Sequence, residues 1–318
     1  MVSQQLIMAD EVKEQAKKLS ADLVGICSAQ ALNENPPDAK WPQVPGRIWQ
    51  NCRSVILLAK RIPWGMFMTE GRPIKQSTPQ QVMGRLENIA LDLAYYLEGR
   101  GFNAVPLPMQ QTDMDLKRGT YGPLSLRHAA VEAGLGTLGL NLMLMTPEYG
   151  PRVYVTAVLT DAEIEPDKRQ EEQLCLGAAC GRCLMVCPAD AIKHWGLDKR
   201  LCSTKAQIHG ISSLFSYIDE VLEAETEEQR KNLLHSLELV ELWQALRTGA
   251  GAVGACPRCL EVCPIGEDYA QHLKDQHARI DGGADKEKRL EAMRQAERSK
   301  DTIHGYEISK HWIEGNSA

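Results

Sequence analysis

The chain is poor in aromatic residues, with only three Phe among 318 positions, and it has no aromatic-rich basic stretch. That argues against single-strand nucleic-acid binding, which stacks bases on aromatic rings beside positive charge. Positive charge is not in excess either: the formal net charge is −6, so the broad basic footprint of a nucleic-acid surface is not expected. No apolar run approaches the roughly 20 residues that a membrane-spanning helix requires, and no membrane association is expected. The opening Met1-Val2-Ser3-Gln4-Gln5 lacks a basic segment, an apolar segment and a twin-arginine pair, which points to the cytoplasm. A reducing compartment disfavours disulfides as the explanation of cysteines.

Cysteine, by contrast, is plentiful and patterned. Eight of the ten fall into two runs and a single residue. Cys175, Cys180, Cys183 and Cys187 read C-x4-C-x2-C-x3-C-P, closed by Pro188; Cys202 stands alone; Cys256, Cys259 and Cys263 read C-x2-C-x3-C-P, closed by Pro264. A [4Fe-4S] cubane takes four thiolates, and in two-cluster ferredoxins the cysteine before the proline serves the other cluster. The expected ligand sets are therefore Cys175, Cys180, Cys183 and Cys263 for one cluster, and Cys187, Cys202, Cys256 and Cys259 for the second. Zinc would accept the CxxC pairs, but a C-P corner after each run has no role in a tetrahedral knuckle. Cys27 and Cys52 lie in or beside apolar runs and read as small buried hydrophobes.

Ahead of the cysteines, strand-like runs (21–26, 54–59, 102–105, 152–159) alternate with helix-like blocks (Val12, Ala16 and Leu19; Val82, Leu86, Ile89, Leu93 and Leu97; 124–133), the signature of an α/β sheet. The expected fold is α/β (α+β). Residues 1–167 form a first domain, and 168–268 a ferredoxin-like double-cluster domain with a helical insertion at 203–255 that packs over the clusters. Residues 269–318 form a charged, solvated helical tail with a last segment around His311 and Trp312. The stretch Trp64 to Thr78 reads as a loop, either lid or core.

Gly134-Leu135-Gly136-Thr137-Leu138-Gly139 matches the dinucleotide fingerprint G-x-G-x-x-G. The context is inverted, because a helix precedes these glycines and a strand follows them, so no helix N-terminus faces a pyrophosphate. A turn that brings backbone close to another bulky cofactor is the preferred reading.

Taken together, Ala133-Gly134-Leu135-Gly136-x-x-Gly139-x-Asn141, the turn Thr146 to Arg152, Leu159-Thr160-Asp161 and the two C-P cysteine motifs resemble the cobalamin-dependent epoxyqueuosine reductases and reductive dehalogenases over residues 10–268. The resemblance implies a nitroreductase-like domain holding a base-off corrinoid, fed by two [4Fe-4S] clusters. Gly134, Leu135, Gly136, Gly139, Asn141, Pro147, Gly150 and Arg152 would then line the corrinoid. Thr120 stands where the family's proton-donating aspartate would be. Tyr121 is the substitute donor by analogy with the dehalogenases, with Lys117 or Arg118 beside it and Asp113 and Asp115 as fallbacks. The implied activity is reduction of a small organic substrate, by removal of a leaving group or of oxygen, with electrons from a ferredoxin- or flavodoxin-type donor. The alternatives are an electron carrier without corrinoid and epoxyqueuosine reduction on tRNA. Nucleic acid is not expected as the partner, tRNA being the one form kept open.

Overall fold

The computed structural model describes residues 7–70, 72–117, 121–252, 256–267, 280 and 282–299. The chain opens with α1 (Ala9–Lys18), whose Asp10 and Glu11 sit in the first turn and Lys17 and Lys18 in the last, matching the helix dipole. Strand β1 (Leu23–Ser28), α2 (Ala29–Glu34), α3 (Pro45–Ile48) and β2 (Ser54–Arg61) follow, then α4 (Gly65–Met68), α5 (Arg72–Gly99) and β3 (Ala104–Pro106). Helix α6 (Leu126–Glu132) leads into a small hairpin, β4 (Thr137–Leu138) and β5 (Leu144–Met145), and the long β6 (Val153–Thr160).

The main sheet has the order β1-β2-β6-β3, and every neighbouring pair is antiparallel. Successive side chains leave a strand on opposite faces. Val55, Leu57, Ala157 and Leu159 therefore pack on one side with Ala129, Ala130 and Val131 of α6. Ile56, Leu58 and Val158 pack on the other with Val12 of α1 and Leu86, Ile89, Leu93 and Leu97 of α5. Helices on both faces explain why these strands read as unbroken apolar runs although their pairing is antiparallel. Cys27 and Cys52 are buried in the first of these cores.

Two segments differ from the sequence reading. The expected loop from Trp64 to Thr78 is helical: α4 buries Met66 and Phe67, and α5 already begins at Arg72. Pro79 lies inside α5 and forfeits one helical hydrogen bond. The buried stripe from Leu86 to Leu97 carries the helix through that defect. Its first turns are tied down by Lys75 Nζ to Glu261 Oε1 at 2.8 Å and Gln80 Nε2 to the Gly249 carbonyl at 3.0 Å.

The cysteine-bearing part continues with α7 (Arg182–Val186), the hairpin β7 (Ile192–Lys193) and β8 (Gly196–Leu197), α8 (Lys199–Ala206), α9 (Ile211–Glu223), α10 (Glu227–Leu234), α11 (Leu237–Thr248) and α12 (Arg258–Glu261). Helices α9 to α11 lie between Cys202 and Cys256 and leave Ile211, Phe215, Leu222, Leu237, Trp243 and Leu246 exposed. The last described helix, α13 (Gly283–Arg298), departs from the expected solvated tail: it packs on α7 and on the turn at Gly177–Ala179, and Leu290 is buried there. His311 and Trp312 lie outside the described residues.

Candidate functional site

The eight patterned cysteines gather into two groups of four, each lining its own cavity. Cys175, Cys180, Cys183 and Cys263 open onto one, with Leu140, Met145 and Ile265 around them. Cys187, Cys202, Cys256 and Cys259 open onto the other, of about 190 Å³. Local backbone chemistry produces the crossing. Gly181 takes a left-handed φ of 61° and turns the chain into α7, which carries Cys183. Cys187 ends that helix in an extended conformation, φ −66° and ψ 115°. The following Pro188 disfavours helix at the preceding residue, so the Cys187 sulfur leaves the helix toward the second cavity. Cys202 is set by α8, whose first turn is capped by Asp198 accepting from the Leu201 N–H at 3.1 Å.

Burial opposes the ionisation of Cys175, Cys183, Cys202, Cys256, Cys259 and Cys263. Burial first, and then neighbouring cysteines, push Cys202 up to about 11 and hold Cys183 and Cys259 well above the usual thiol range. Cys263 is pushed up to about 12 mainly by burial, with a backbone N–H from Ile265 and the charge of Arg152 pulling it back. A multiply charged metal centre reverses this balance, because its own charge holds coordinating thiols deprotonated. Backbone N–H groups point at further sulfurs, among them Leu140 N to Cys175 Sγ and Ala191 N to Cys187 Sγ, both at 3.4 Å. Such contacts tune iron–sulfur centres. Among the described residues no three Cys, His, Asp or Glu side chains converge on a point as a single-ion site would require. Four sulfurs spaced around a cavity suit a cluster.

A cleft of about 370 Å³ adjoins the second cavity and shares Met143, Val153 and Tyr154 with it. Helix α8 spans both: Lys199 faces the cleft, while Cys202, Lys205 and Ala206 face the sulfurs. The cleft wall is mostly apolar (Met83, Leu124, Leu126, Val155), with amides from Gln43, Gln110 and Gln111 and the cation of Arg127. Burial lowers Arg127 to about 10. Ser125, also on the wall, lies 2.7 Å from His128 Nδ1. Burial raises the phenol of Tyr154 to about 12 and keeps it protonated. Arg127, Tyr154 and Lys199 were not singled out from the sequence; a lone cation amid the apolar helix 126–132 was the available signal for Arg127.

Tyr121 lies next to the cleft-lining Gly122 but is only 1% exposed, wedged edge-on to Trp41. The ammonium of Lys199 sits 4.7 Å from its ring centroid. Lys117 is exposed on a left-handed turn, and Arg118 lies outside the described residues. Of the fallback acids, Asp115 is exposed. Asp113 is paired with Arg47. Burial tends to raise its carboxyl, but the Arg47 hydrogen bond and the Asp115 N–H outweigh this and hold it below the usual range. A carboxylate held ionised in this way is a poor acid, so the fallback role of Asp113 does not stand.

The glycine block makes close approaches, but to the protein's own backbone. A Cβ on Gly136 would lie 1.8 Å from the Met145 carbonyl oxygen, and one on Gly150 would lie 1.9 Å from that of Ile265. Gly139 meets the Met145 side chain. Gly134, Leu135 and Pro147 border a polar pocket with Lys13, Asp22 and Asp167, away from the cleft. Asn141, 2% exposed, lines both sulfur cavities and hydrogen-bonds Cys259. Arg152, 1% exposed, donates to the carbonyls of Leu260, Cys263 and Ile265 at 3.4, 3.2 and 2.7 Å. Gly150, Asn141 and Arg152 therefore join the sheet domain to the second cysteine run, and none of the eight residues is among the lining of the cleft.

No protein-family model matches the chain. Over 145 residues it is 30% identical to the tetrachloroethene reductive dehalogenase of Dehalobacter restrictus, a match covering 45% of this chain and 24% of that protein. Over 82 residues it is 39% identical to the epoxyqueuosine reductase of Bacillus cereus, covering 26% of this chain and 21% of the relative. The chain thus matches a quarter or less of these curated relatives, which are reductases of two kinds. Its fold resembles a crystal structure of epoxyqueuosine reductase with an epoxyqueuosine-modified tRNA-Tyr stem loop, at a TM-score of 0.50 and 21% identity, over 86% of this chain and 68% of the other. A selenomethionine-labelled epoxyqueuosine reductase aligns at 0.51 and 20% identity. That neighbour with its stem loop overturns the expectation, drawn from net charge and aromatic content, that nucleic acid is not a partner. Net charge averages over a surface, whereas an RNA contact needs only a local match. Among the described residues no helix is long and apolar enough to cross a membrane.

Proposed function

We propose that this chain is an iron–sulfur reductase that holds a corrinoid in the cleft and reductively removes oxygen or a leaving group from an organic substrate. The observation that carries the reading is the wall of Met143, Val153 and Tyr154 shared by the cleft and the cavity of Cys187, Cys202, Cys256 and Cys259. Redox centres held by those thiols would stand against the place where substrate is bound. The cleft opens to solvent, so a ligand larger than its volume can lie in it with an edge in water. Its apolar wall and amide-bearing rim suit a macrocycle with an apolar face and polar periphery. When bound, the clusters supply electrons singly and the corrinoid supplies a strongly reducing cobalt.

The chain's own groups would do the rest. Arg127 and Lys199 place two cations at the cleft, where they orient an electron-rich leaving atom and stabilise negative charge as it develops. Tyr121, beneath Lys199, is the proposed proton donor, since a cation over the ring favours the phenolate left after transfer. Tyr121→Phe is expected to lower turnover about 100-fold with iron and corrinoid content unchanged. If Tyr154→Phe causes the collapse and Tyr121→Phe does not, the donor sits on the shared wall.

A second reading of the substrate, a modified nucleoside carried on tRNA, is supported by the neighbour solved with a stem loop. The test is anaerobic purification, iron determination and reconstitution with hydroxocobalamin, followed by turnover with a chemical reductant. Two substrates are offered separately, halogenated phenols and an epoxyqueuosine-bearing stem loop. A corrinoid band with turnover of either supports the reductase, and the substrate turned over selects between the readings. An iron–sulfur shoulder with no corrinoid binding would leave an electron carrier and defeat the proposal.

A further inference from the structure

Helix α13 carries charge of opposite sign to the two sulfur cavities. At its N-terminal end Lys286, 16% exposed, donates from Nζ to the carbonyls of Cys187 at 2.6 Å and Met185 at 3.2 Å. Arg289 adds a bond to the Ile192 carbonyl at 2.9 Å. Asp190, half exposed, faces both cations at 3.6 and 3.3 Å and offsets one of them. Two helical turns and more further on, Glu297, 15% exposed, accepts from the Ala178 N–H at 2.9 Å, Trp195 Nε1 at 3.0 Å and His194 Nε2 at 3.1 Å. Arg294, which bonds the Ala178 carbonyl at 3.1 Å, shares Glu291 with Arg298, at 3.6 and 3.7 Å. The helix therefore leaves a net positive charge beside Cys187, in the set next to the cleft. Beside the loop of Cys175, Cys180 and Cys183, in the set away from it, the carboxylate of Glu297 takes the Ala178 N–H.

We propose that α13 orders the reduction potentials of the two clusters, with Lys286 raising that of the cluster nearer the cleft and Glu297 lowering that of the farther one. Adding an electron makes a thiolate-ligated cluster more negative, so a fixed cation favours its reduced state and a fixed anion its oxidised state. Both groups are only slightly exposed, so solvent screens them weakly. An electron supplied from outside therefore rests preferentially beside the cleft. Lys286 and Glu297 are positioning residues that touch cluster loops and not substrate. The inference rests on the iron–sulfur reading above, and its test separates the two.

The experiment is a redox titration of the iron-loaded full chain, without corrinoid or substrate, followed by electron paramagnetic resonance. Cys202→Ser, which removes one signal, assigns the pair. Lys286→Met is expected to lower the midpoint of the cluster nearer the cleft by a tenfold change in its one-electron equilibrium, about 59 mV. Lys286→Arg should leave it in place. Glu297→Gln should move the other midpoint upward. Unmoved midpoints, or both moving the same way, would overturn the ordering role, as would loss of iron from the variants alone, which would make α13 a brace. Wild-type protein without two clusters would instead defeat the underlying reading.

Discussion

Replacing Cys259 with Ser is expected to halve the iron content, from about eight to about four atoms per chain, and to reduce turnover to background. Cys259 lies with Cys256, Cys202 and Cys187 around the cavity that shares its wall with the cleft. A serine hydroxyl there is a far poorer ligand than a thiolate, and the burial that opposes ionisation of Cys202 and Cys256 is then no longer offset by a metal charge. The other group of four draws nothing from Cys259, so its signal should persist. Cys52→Ser supplies the contrast, since Cys52 is packed in the sheet core and its loss should leave the iron count unchanged. Equal iron in wild type and Cys259→Ser would remove the ligand assignment.

Arg152→Met should be the most damaging change outside the cysteines. The buried guanidinium is the common donor to three carbonyls in the C-P loop at Cys263. An apolar side chain would leave them in the interior without that partner, at a cost of about 3–5 kcal/mol. The thermal midpoint should fall by roughly 10 °C, and the cluster signal of the Cys175, Cys180, Cys183 and Cys263 group should be lost before that of the other group. Arg152→Lys should not restore it, because one ammonium cannot reproduce a planar fork. A variant with wild-type melting and full iron would show that the loop holds its shape unaided.

The cysteine runs were legible in the sequence because their information is local. Spacing sets which sulfurs sit on one turn, and the proline after Cys187 or Cys263 turns the last one away. The alternation of the sheet was legible for the same reason, through Val55 to Leu58 and Val153 to Leu159. What could not be read was the identity of distant partners. Gly136 and Gly150 were recognisable as places where backbone comes close to something, but that something is the carbonyl of Met145 or of Ile265, set by tertiary packing. Asn141 and Arg152 were picked out as polar residues of interest, yet their partners lie more than a hundred residues away in the second cysteine run. Helix α13 looked solvated because its lysines and arginines bond to main-chain oxygens, which leave no mark in a sequence.

Cys202 and Cys256 flank the helical insertion and open onto the same cavity. The chain leaves that cavity at Cys202 and is back at it at Cys256, so the stretch between them forms a closed excursion whose two feet lie together. Loop-closure cost grows only with the logarithm of length, so shortening or exchanging the excursion would alter the entropy of the chain by little. Helices α9 to α11 are the part to exchange, with α8 and the Gly249 carbonyl that holds Gln80 kept: a foreign domain with adjacent termini should be accepted in their place.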